Sequence, residues 1–164
     1  MRALVLGTLV VSLLAGGMAG AQTANDPLMA PIKTFMETFN KGDVAGAAAT
    51  HAKTAALTIV DEVPPYLWHG PDAVTAWSTD LDAYAQKQGI TGQIVAISAP
   101  TRKETIGDVA YVIVPAVYSF TQGGAAMSQS AQMTFTLTKG PSGWLIQSWT
   151  WTGPGSRPAG KPKS

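Results

Sequence analysis

The residues with the most chemical potential lie between Asp61 and Trp77, in the stretch DEVPPYLWHGPDAVTAW. A carboxyl group, Asp61, and an imidazole, His69, stand on either side of a Pro-Pro turn. A carboxylate whose pKa is raised by apolar neighbours can act as a general base, and a nearby histidine can shuttle the proton. We therefore take Asp61 and His69 as candidate catalytic residues. The alternative is a solvated turn carboxylate and a histidine that covers the start of the next helix.

Aromatic residues are the second chemical signal. Trp149 and Trp151 are two positions apart in a predicted strand, so they share one face of it. A largely apolar pocket with a few polar groups is typical of a site for a small hydrophobic ligand. Ordinary core packing is the alternative, and it is the interpretation we favour for Trp77 and Trp144.

Three helices are predicted in the first half of the chain. Apolar residues recur at helical spacing from Leu28 to Phe39, after a start signal at Asp26 and Pro27. A short alanine-rich helix is predicted from Val44 to Thr50, with Asp43 as its N-cap. The third begins at Gly70 and Pro71 and ends at Gly89.

Strands dominate the rest of the chain. A short strand is predicted over 55–60, and longer strands over 93–104, 109–121, 126–138 and 144–152. In the segment 126–138 apolar residues alternate with serine, threonine and glutamine, as in an antiparallel strand with one wet face. The predicted order is ααβαββββ. The predicted fold class is α+β, a cone-shaped curved antiparallel sheet with three N-terminal helices packed on its concave face.

The first residues have the pattern of an export signal. Arg2 precedes an apolar run from Leu4 to Leu14, and Ala19-Gly20-Ala21 is a small-residue cleavage site. We predict a signal peptide over 1–21, a domain over 22–153, and a disordered basic Pro/Gly-rich tail over 154–164. The predicted location is periplasmic or secreted, with no membrane attachment after cleavage.

Composition excludes several classes of function. The chain has no cysteine, which excludes disulfides, thiolate zinc sites and thiol catalysis. The body carries more acidic than basic residues and lacks the basic cluster that a nucleic-acid backbone requires. Two histidines and scattered acids have no metal-ligand spacing, so we expect no metal and no other cofactor.

Three segments together resemble the nuclear transport factor 2-like superfamily, which includes SnoaL-like polyketide cyclases and ketosteroid isomerases. They are FMETFNKGDVAGAAATH (35–51), WHGPDAVTAW (68–77) and SGWLIQSWTW (142–151). The resemblance implies the cone fold and a cavity lined from the concave face of the sheet. It also implies a possible homodimer formed through the sheet, whose predicted wet face carries many hydroxyl groups. It does not imply one function, because the superfamily includes enzymes, binding proteins and interaction modules.

Only one of the functional residues of ketosteroid isomerases has a matching residue in this sequence. Asp61 falls at the position of the catalytic base, whereas the tyrosine and the acid that donate to the oxyanion fall on Phe35 and near Phe135, which cannot donate. This argues against ketosteroid isomerase activity. An epoxide hydrolase also looks excluded, because Arg102 has no visible acid partner in the sequence. The ligand-binding residues that we predict are Phe35, Trp68, Tyr118, Met133, Phe135, Trp149 and Trp151.

Three functional hypotheses follow. The first is an exported protein that binds a small, mostly apolar molecule in the cone. The second is a cofactor-independent isomerase, cyclase or dehydratase in which Asp61 abstracts a proton α to a carbonyl and His69 assists. The third is an interaction module with a filled core. The first two require an open cavity, and the third requires none.

Overall fold

A computed structural model describes residues 26–160. The predicted signal peptide and the last four residues lie outside this range. Helix α1 spans Met29–Asn40, α2 spans Val44–Ala49 and α3 spans Ala73–Gln88. Asp43 caps α2 by accepting a hydrogen bond from the backbone N–H of Gly46 at 2.8 Å. Gly89 ends α3 in the left-handed conformation that favours glycine.

The strands form one sheet that does not close on itself. Their order is β2-β1-β7-β6-β5-β3, with β4 paired to β5 and β8 paired to β6. Only the contact between β1 and β7 is parallel among these strands. The strands are β1 Thr58–Val60, β2 Leu67–His69, β3 Ile90–Ile97, β4 Arg102–Ile106, β5 Val109–Gln122, β6 Ala125–Gly140, β7 Gly143–Thr152 and β8 Arg157–Pro158.

The predicted α+β cone is confirmed, with a curved, unclosed sheet. One difference from the predicted element order is that the predicted strand over 93–104 is two strands. Pro100 lies in the break, where it has no N–H to donate to a ladder. Pro115 lies opposite this break: β3 ends at the partner of Ala116 and β4 begins at the partner of Ile113.

Two further strands were not predicted. Leu67–His69 forms β2, which pairs antiparallel with β1 across the Pro-Pro turn. In the segment predicted as a disordered tail, Arg157–Pro158 instead forms β8 beside Met127 and Ser128 of β6. After β7 the chain therefore turns back so that β8 can pair with β6. Gly155 and Ser156, which lie in this turn, line the cavity described below.

A register shift in β7 helps to form the core. Thr136 of β6 pairs with Ser148, whereas Leu137 pairs with Ile146, so Gln147 is an extra residue. Because of this bulge, both Ile146 and Trp149 are buried. Helix α1 is joined to the edge strand β3 by Asn40, whose side chain makes hydrogen bonds of 2.8 and 2.9 Å with the backbone of Val95. Within 26–160, no helix is long and apolar enough to cross a membrane.

Candidate functional site

A cavity of about 340 Å³ lies between the helices and the concave face of the sheet. Its walls are mainly apolar and aromatic, contributed by α1, α3 and strands β3, β5, β6 and β7. Phe35, Trp77 and Trp149 pack together at one side, with Trp77 and Trp149 edge to face at 5.0 Å between ring centroids. Other aromatic lining residues are Phe39, Tyr84, Tyr118, Phe120 and Trp151.

Asp61 is the central polar group of the cavity. It follows β1, whose last residue, Val60, pairs with Thr150 of β7. Its Oδ2 accepts a hydrogen bond from Trp77 Nε1 at 2.7 Å, and its Oδ1 accepts one from the backbone N–H of Glu62. Burial raises the pKa of the Asp61 carboxyl above its usual value, and these two hydrogen bonds only partly oppose that rise.

Glu62 and Gln129 form a second polar pair. Gln129 Nε2 donates to Glu62 Oε2 at 2.9 Å, joining the turn after β1 to strand β6. Glu62 is more exposed than Asp61, but partial desolvation of its carboxyl group raises its pKa. The hydrogen bond from Gln129 opposes this rise, and the neighbouring charge of Asp61 adds to it. Gln129 is only 2% exposed, and its Oε1 has no partner among the described residues. An unpaired buried acceptor carries a desolvation cost of about 1–3 kcal/mol.

Because Gly153 has no side chain, there is room beside it for the side-chain amide of Gln129. A Cβ at this position would lie 2.6 Å from Gln129 Nε2 and 3.2 Å from Ala131 Cβ. A glycine therefore lets the chain leaving β7 pass close to the buried amide.

Tyr118 and Gln93 form the remaining polar contact of the wall. The Tyr118 hydroxyl donates to Gln93 Oε1 at 2.6 Å. Burial raises the pKa of Tyr118, and the charges of Asp61 and Glu62 raise it further, so the phenol stays protonated at neutral pH. The ring stacks on Phe120 at 4.7 Å and meets Trp151 edge to face at 6.2 Å.

The structure brings together most of the residues that the sequence analysis selected. One candidate catalytic residue, Asp61, lines the cavity, and His69 does not. Five of the seven predicted ligand-binding residues also line it, one from α1 and four from the sheet. The predicted residues that line the cavity are Asp61, Phe35, Tyr118, Met133, Trp149 and Trp151.

His69 and Trp68 lie away from the cavity because both belong to β2. Successive side chains of a strand point to opposite faces, so Trp68 is buried while His69 is exposed. His69 pairs with Thr58, two residues before the end of β1, and does not stand beside Asp61. Trp68 is not in the cavity wall, and its Nε1 donates to Asp80 Oδ2 at 2.8 Å. The predicted assistance of Asp61 by His69 therefore has no geometric basis.

Phe135 is a core residue and lies outside the cavity wall. It is 0% exposed and pairs with Val112 on β5 and Trp149 on β7. Its side chain is on the same face of β6 as Gln129 and Met133, but it lies further along the strand, inside the main hydrophobic cluster. The structure therefore places Phe135 in the core and not at the cavity wall, where the sequence analysis expected it.

Trp77 and Gln129 are among the cavity residues that sequence reasoning missed or gave another role. Trp77 is buried, as predicted, but it also lines the cavity and donates to Asp61. Gln129 was not selected, although a signal was present, because it is the polar residue in the otherwise apolar inward row of β6. Such an exception to alternation marks a buried polar group that needs a partner.

His51 is a buried histidine that follows helix α2. It is 2% exposed, its Nδ1 lies 2.9 Å from the Ala47 carbonyl oxygen, and its Nε2 has no partner among the described residues. Burial lowers its pKa to about 4. The ring packs edge-on against Phe35 at 4.8 Å but is not part of the cavity wall. We therefore assign it to the core.

The donor set of the cavity does not suggest a metal site. Within residues 26–160, no group of three or more histidine and acidic side chains is placed to hold a metal ion. Two side-chain atoms of the cavity wall are buried without a partner in this range, the acceptor Gln129 Oε1 and the donor Trp149 Nε1. Both are suited to hydrogen bonds with an organic ligand.

Known structures share this fold. The chain is similar to a hexachlorocyclohexane dehydrochlorinase from Novosphingobium barchaimii, with 14% identity, a TM-score of 0.64, and coverage of 82% of this chain and 92% of that one. It is also similar to a ketosteroid isomerase-like protein from Erwinia carotovora (17% identity, TM-score 0.59, coverage 78% and 94%). A third similar structure is a nuclear transport factor 2-like protein from Salmonella enterica. It has 13% identity and a TM-score of 0.62, with coverage of 81% of this chain and 92% of that one. These likenesses show the fold alone.

The family follows from the sequence match. No curated protein matches the chain. The family model of the SnoaL-like domain matches residues 28–151, which include all three helices and strands β1 to β6, together with nearly all of β7. The chain therefore belongs to the SnoaL-like domain family, within the nuclear transport factor 2-like superfamily.

Proposed function

We propose that this protein binds a small, mostly apolar molecule in the cavity beside Asp61. The observation that carries the proposal is the cavity itself, an open space of about 340 Å³ with aromatic walls and a few polar groups at one end. This volume is at the lower end of the range for small-molecule sites, roughly 300–1,000 Å³. The same cavity argues against the third hypothesis, an interaction module with a filled core.

A filling substitution on α3 tests the proposal. Ala85 is buried and lines the cavity, whereas Ala83 on the same helix is exposed. We expect 1-adamantanemethanol to quench the tryptophan fluorescence of the wild type saturably. Ala85→Phe should weaken binding by at least about tenfold, or about 1.4 kcal/mol.

Ala83→Phe is the matched control, since it adds the same ring to the solvent face. Circular dichroism and the Tm establish that both variants are folded. Equal affinities for the wild type and a folded Ala85→Phe variant would place the binding elsewhere and overturn the proposal.

Catalysis by Asp61 is the second candidate function. The observation in its favour is a partly buried carboxyl group of raised pKa that lines a mainly apolar cavity. The cavity provides few donors for a developing oxyanion, because Phe35 has no hydroxyl and the Tyr118 hydroxyl donates to Gln93. Among the described wall residues, Trp149 Nε1 is a buried donor without a partner. Ligand binding without catalysis is therefore the leading proposal.

Proton exchange distinguishes the two candidates. If Asp61 is a general base, the wild type should accelerate the exchange of the α-protons of 1-tetralone in D₂O, measured by NMR. Asp61→Asn should then slow the exchange by roughly 10²–10⁴-fold. A wild-type rate equal to that of Asp61→Asn removes the enzymatic candidate and leaves the binding proposal in place.

A further inference from the structure

The polar end of the cavity contains acids and no basic group. Among the described residues that line the cavity, Asp61 and Glu62 are acidic, and none is lysine, arginine or histidine. A carboxylate ligand would therefore meet two carboxyl groups of the protein with no basic side chain in the wall to offset them. A cationic ligand would instead find opposite charge at the partly buried Asp61 and the more exposed Glu62.

An independent observation also indicates a hydrogen-bond donor on the ligand. The Oε1 of Gln129 is buried without a partner, although Gln129 lines the cavity. The orientation of this amide is set by Glu62, since Nε2 donates to the Glu62 carboxylate. Oε1 is therefore an acceptor that a ligand N–H can satisfy. The other unpaired atom, Trp149 Nε1, is a donor and does not compete for such a group.

The aromatic walls favour the same charge. Trp151, Tyr118 and Phe120 lie together on the sheet side of the cavity. The faces of such rings attract cations, and the attraction is stronger when the cation is desolvated. Aromatic rings, two carboxyl groups and an unpaired amide oxygen thus all favour a cation that carries N–H donors.

We infer that the ligand carries a protonated amine on an apolar body, with the amine held by Asp61, Glu62 and Gln129. This inference rests on the proposed function, whose ligand it specifies. The amine donates to the carboxylates and to Gln129 Oε1, while the body fills the space between α1, α3 and the sheet.

The inference has a consequence for pH dependence. The titratable residues in the described wall are Asp61, Glu62, Tyr84 and Tyr118. Burial raises the pKa of both carboxyl groups, so in the empty cavity each takes up a proton at a higher pH than an ordinary carboxyl group does. A bound cation favours the ionised carboxylates. Binding of an amine should therefore release protons, and its affinity should fall as the pH is lowered through the pKa values of these two groups.

Three ligands with one body test the inference. They are 1-adamantanemethylamine, 1-adamantanemethanol and 1-adamantanecarboxylic acid, titrated calorimetrically at pH 7 in the same salt. We expect the amine to bind most tightly and the acid most weakly. Asp61→Asn should weaken amine binding by roughly 10- to 100-fold, because a hydrogen bond to a charged group is lost. Alcohol binding should weaken less than amine binding, because the alcohol carries no charge, and circular dichroism and the Tm show that the variant is folded.

The outcomes separate this inference from the proposed function. If the acid binds as tightly as the amine, or if Asp61→Asn leaves amine affinity unchanged, the amine inference is overturned while the cavity remains a binding site. If none of the three ligands binds at millimolar concentration, the proposed function fails together with the inference. Calorimetry in two buffers of different ionisation enthalpy provides a second readout, and an enthalpy that is independent of buffer at acid pH would contradict the predicted proton release.

Discussion

Replacement of Phe135 by alanine is expected to lower the free energy of unfolding by about 3–5 kcal/mol. Phe135 is fully buried between Val112 and Trp149, and truncation would leave a void in the core. Urea denaturation monitored by circular dichroism measures the change. Thr134→Ala is the control, because Thr134 neighbours Phe135 on β6 but is only partly buried, and it should cost less than about 1 kcal/mol.

The same residue tests the boundary between core and cavity. A milder change, Phe135→Leu, should reduce stability yet leave the affinity for 1-adamantanemethanol unchanged within about threefold. This follows because Phe135 is not part of the cavity wall. A tenfold or greater loss of affinity in a folded Phe135→Leu variant would mean that the ligand reaches Phe135, as the sequence analysis expected.

The second large effect is a loss of stability in mild acid caused by His51. Its pKa is lowered by burial to about 4 in the folded protein, against 6.5 for an ordinary histidine. Its contribution is therefore fully present above pH 6.5 and is lost as the pH falls towards 4, because only the unfolded chain takes up the proton. Between pH 7 and pH 5 this amounts to about 2 kcal/mol.

The measurement compares urea denaturation at pH 7 and pH 5 for the wild type and two variants. His51→Gln should lack this part of the pH dependence, whatever its absolute stability. His69→Gln should retain it, since His69 is the other histidine and is exposed. Asp61 and Glu62 act in the opposite sense, because a raised pKa favours the folded state at low pH, but they act equally in all three proteins. An unchanged pH dependence in His51→Gln would contradict the assignment.

Much of the fold could be predicted because local signals agree with the tertiary structure. The apolar spacing from Leu28 to Phe39 gives α1, and the alternation from 126 to 138 gives most of β6. β2 was missed because it has only three residues between a Pro-Pro turn and a helix, too few to show the alternation of a strand. β8 was missed because a Pro/Gly-rich composition resembles a disordered tail, and only pairing with β6 identifies it.

The candidate site could be predicted only in part, for a related reason. Asp61 was found because it ends a strand beside a turn, and Trp149 and Trp151 because they alternate on one face. His69 was misplaced because the unrecognised strand β2 turns its side chain outward. The pairing of Gln129 with Glu62 joins positions far apart in the chain, so sequence spacing does not reveal it.

The central claim is that the cavity beside Asp61 binds a small apolar molecule, and the five tryptophans of the chain allow a direct test. Trp77, Trp149 and Trp151 line the cavity, while Trp68 and Trp144 do not. In ¹H–¹⁵N spectra recorded during titration with 1-adamantanemethanol, we predict saturable shifts of the indole signals of the three cavity tryptophans. Shifts of Trp68 and Trp144 alone, or no shift at any indole, would contradict the claim.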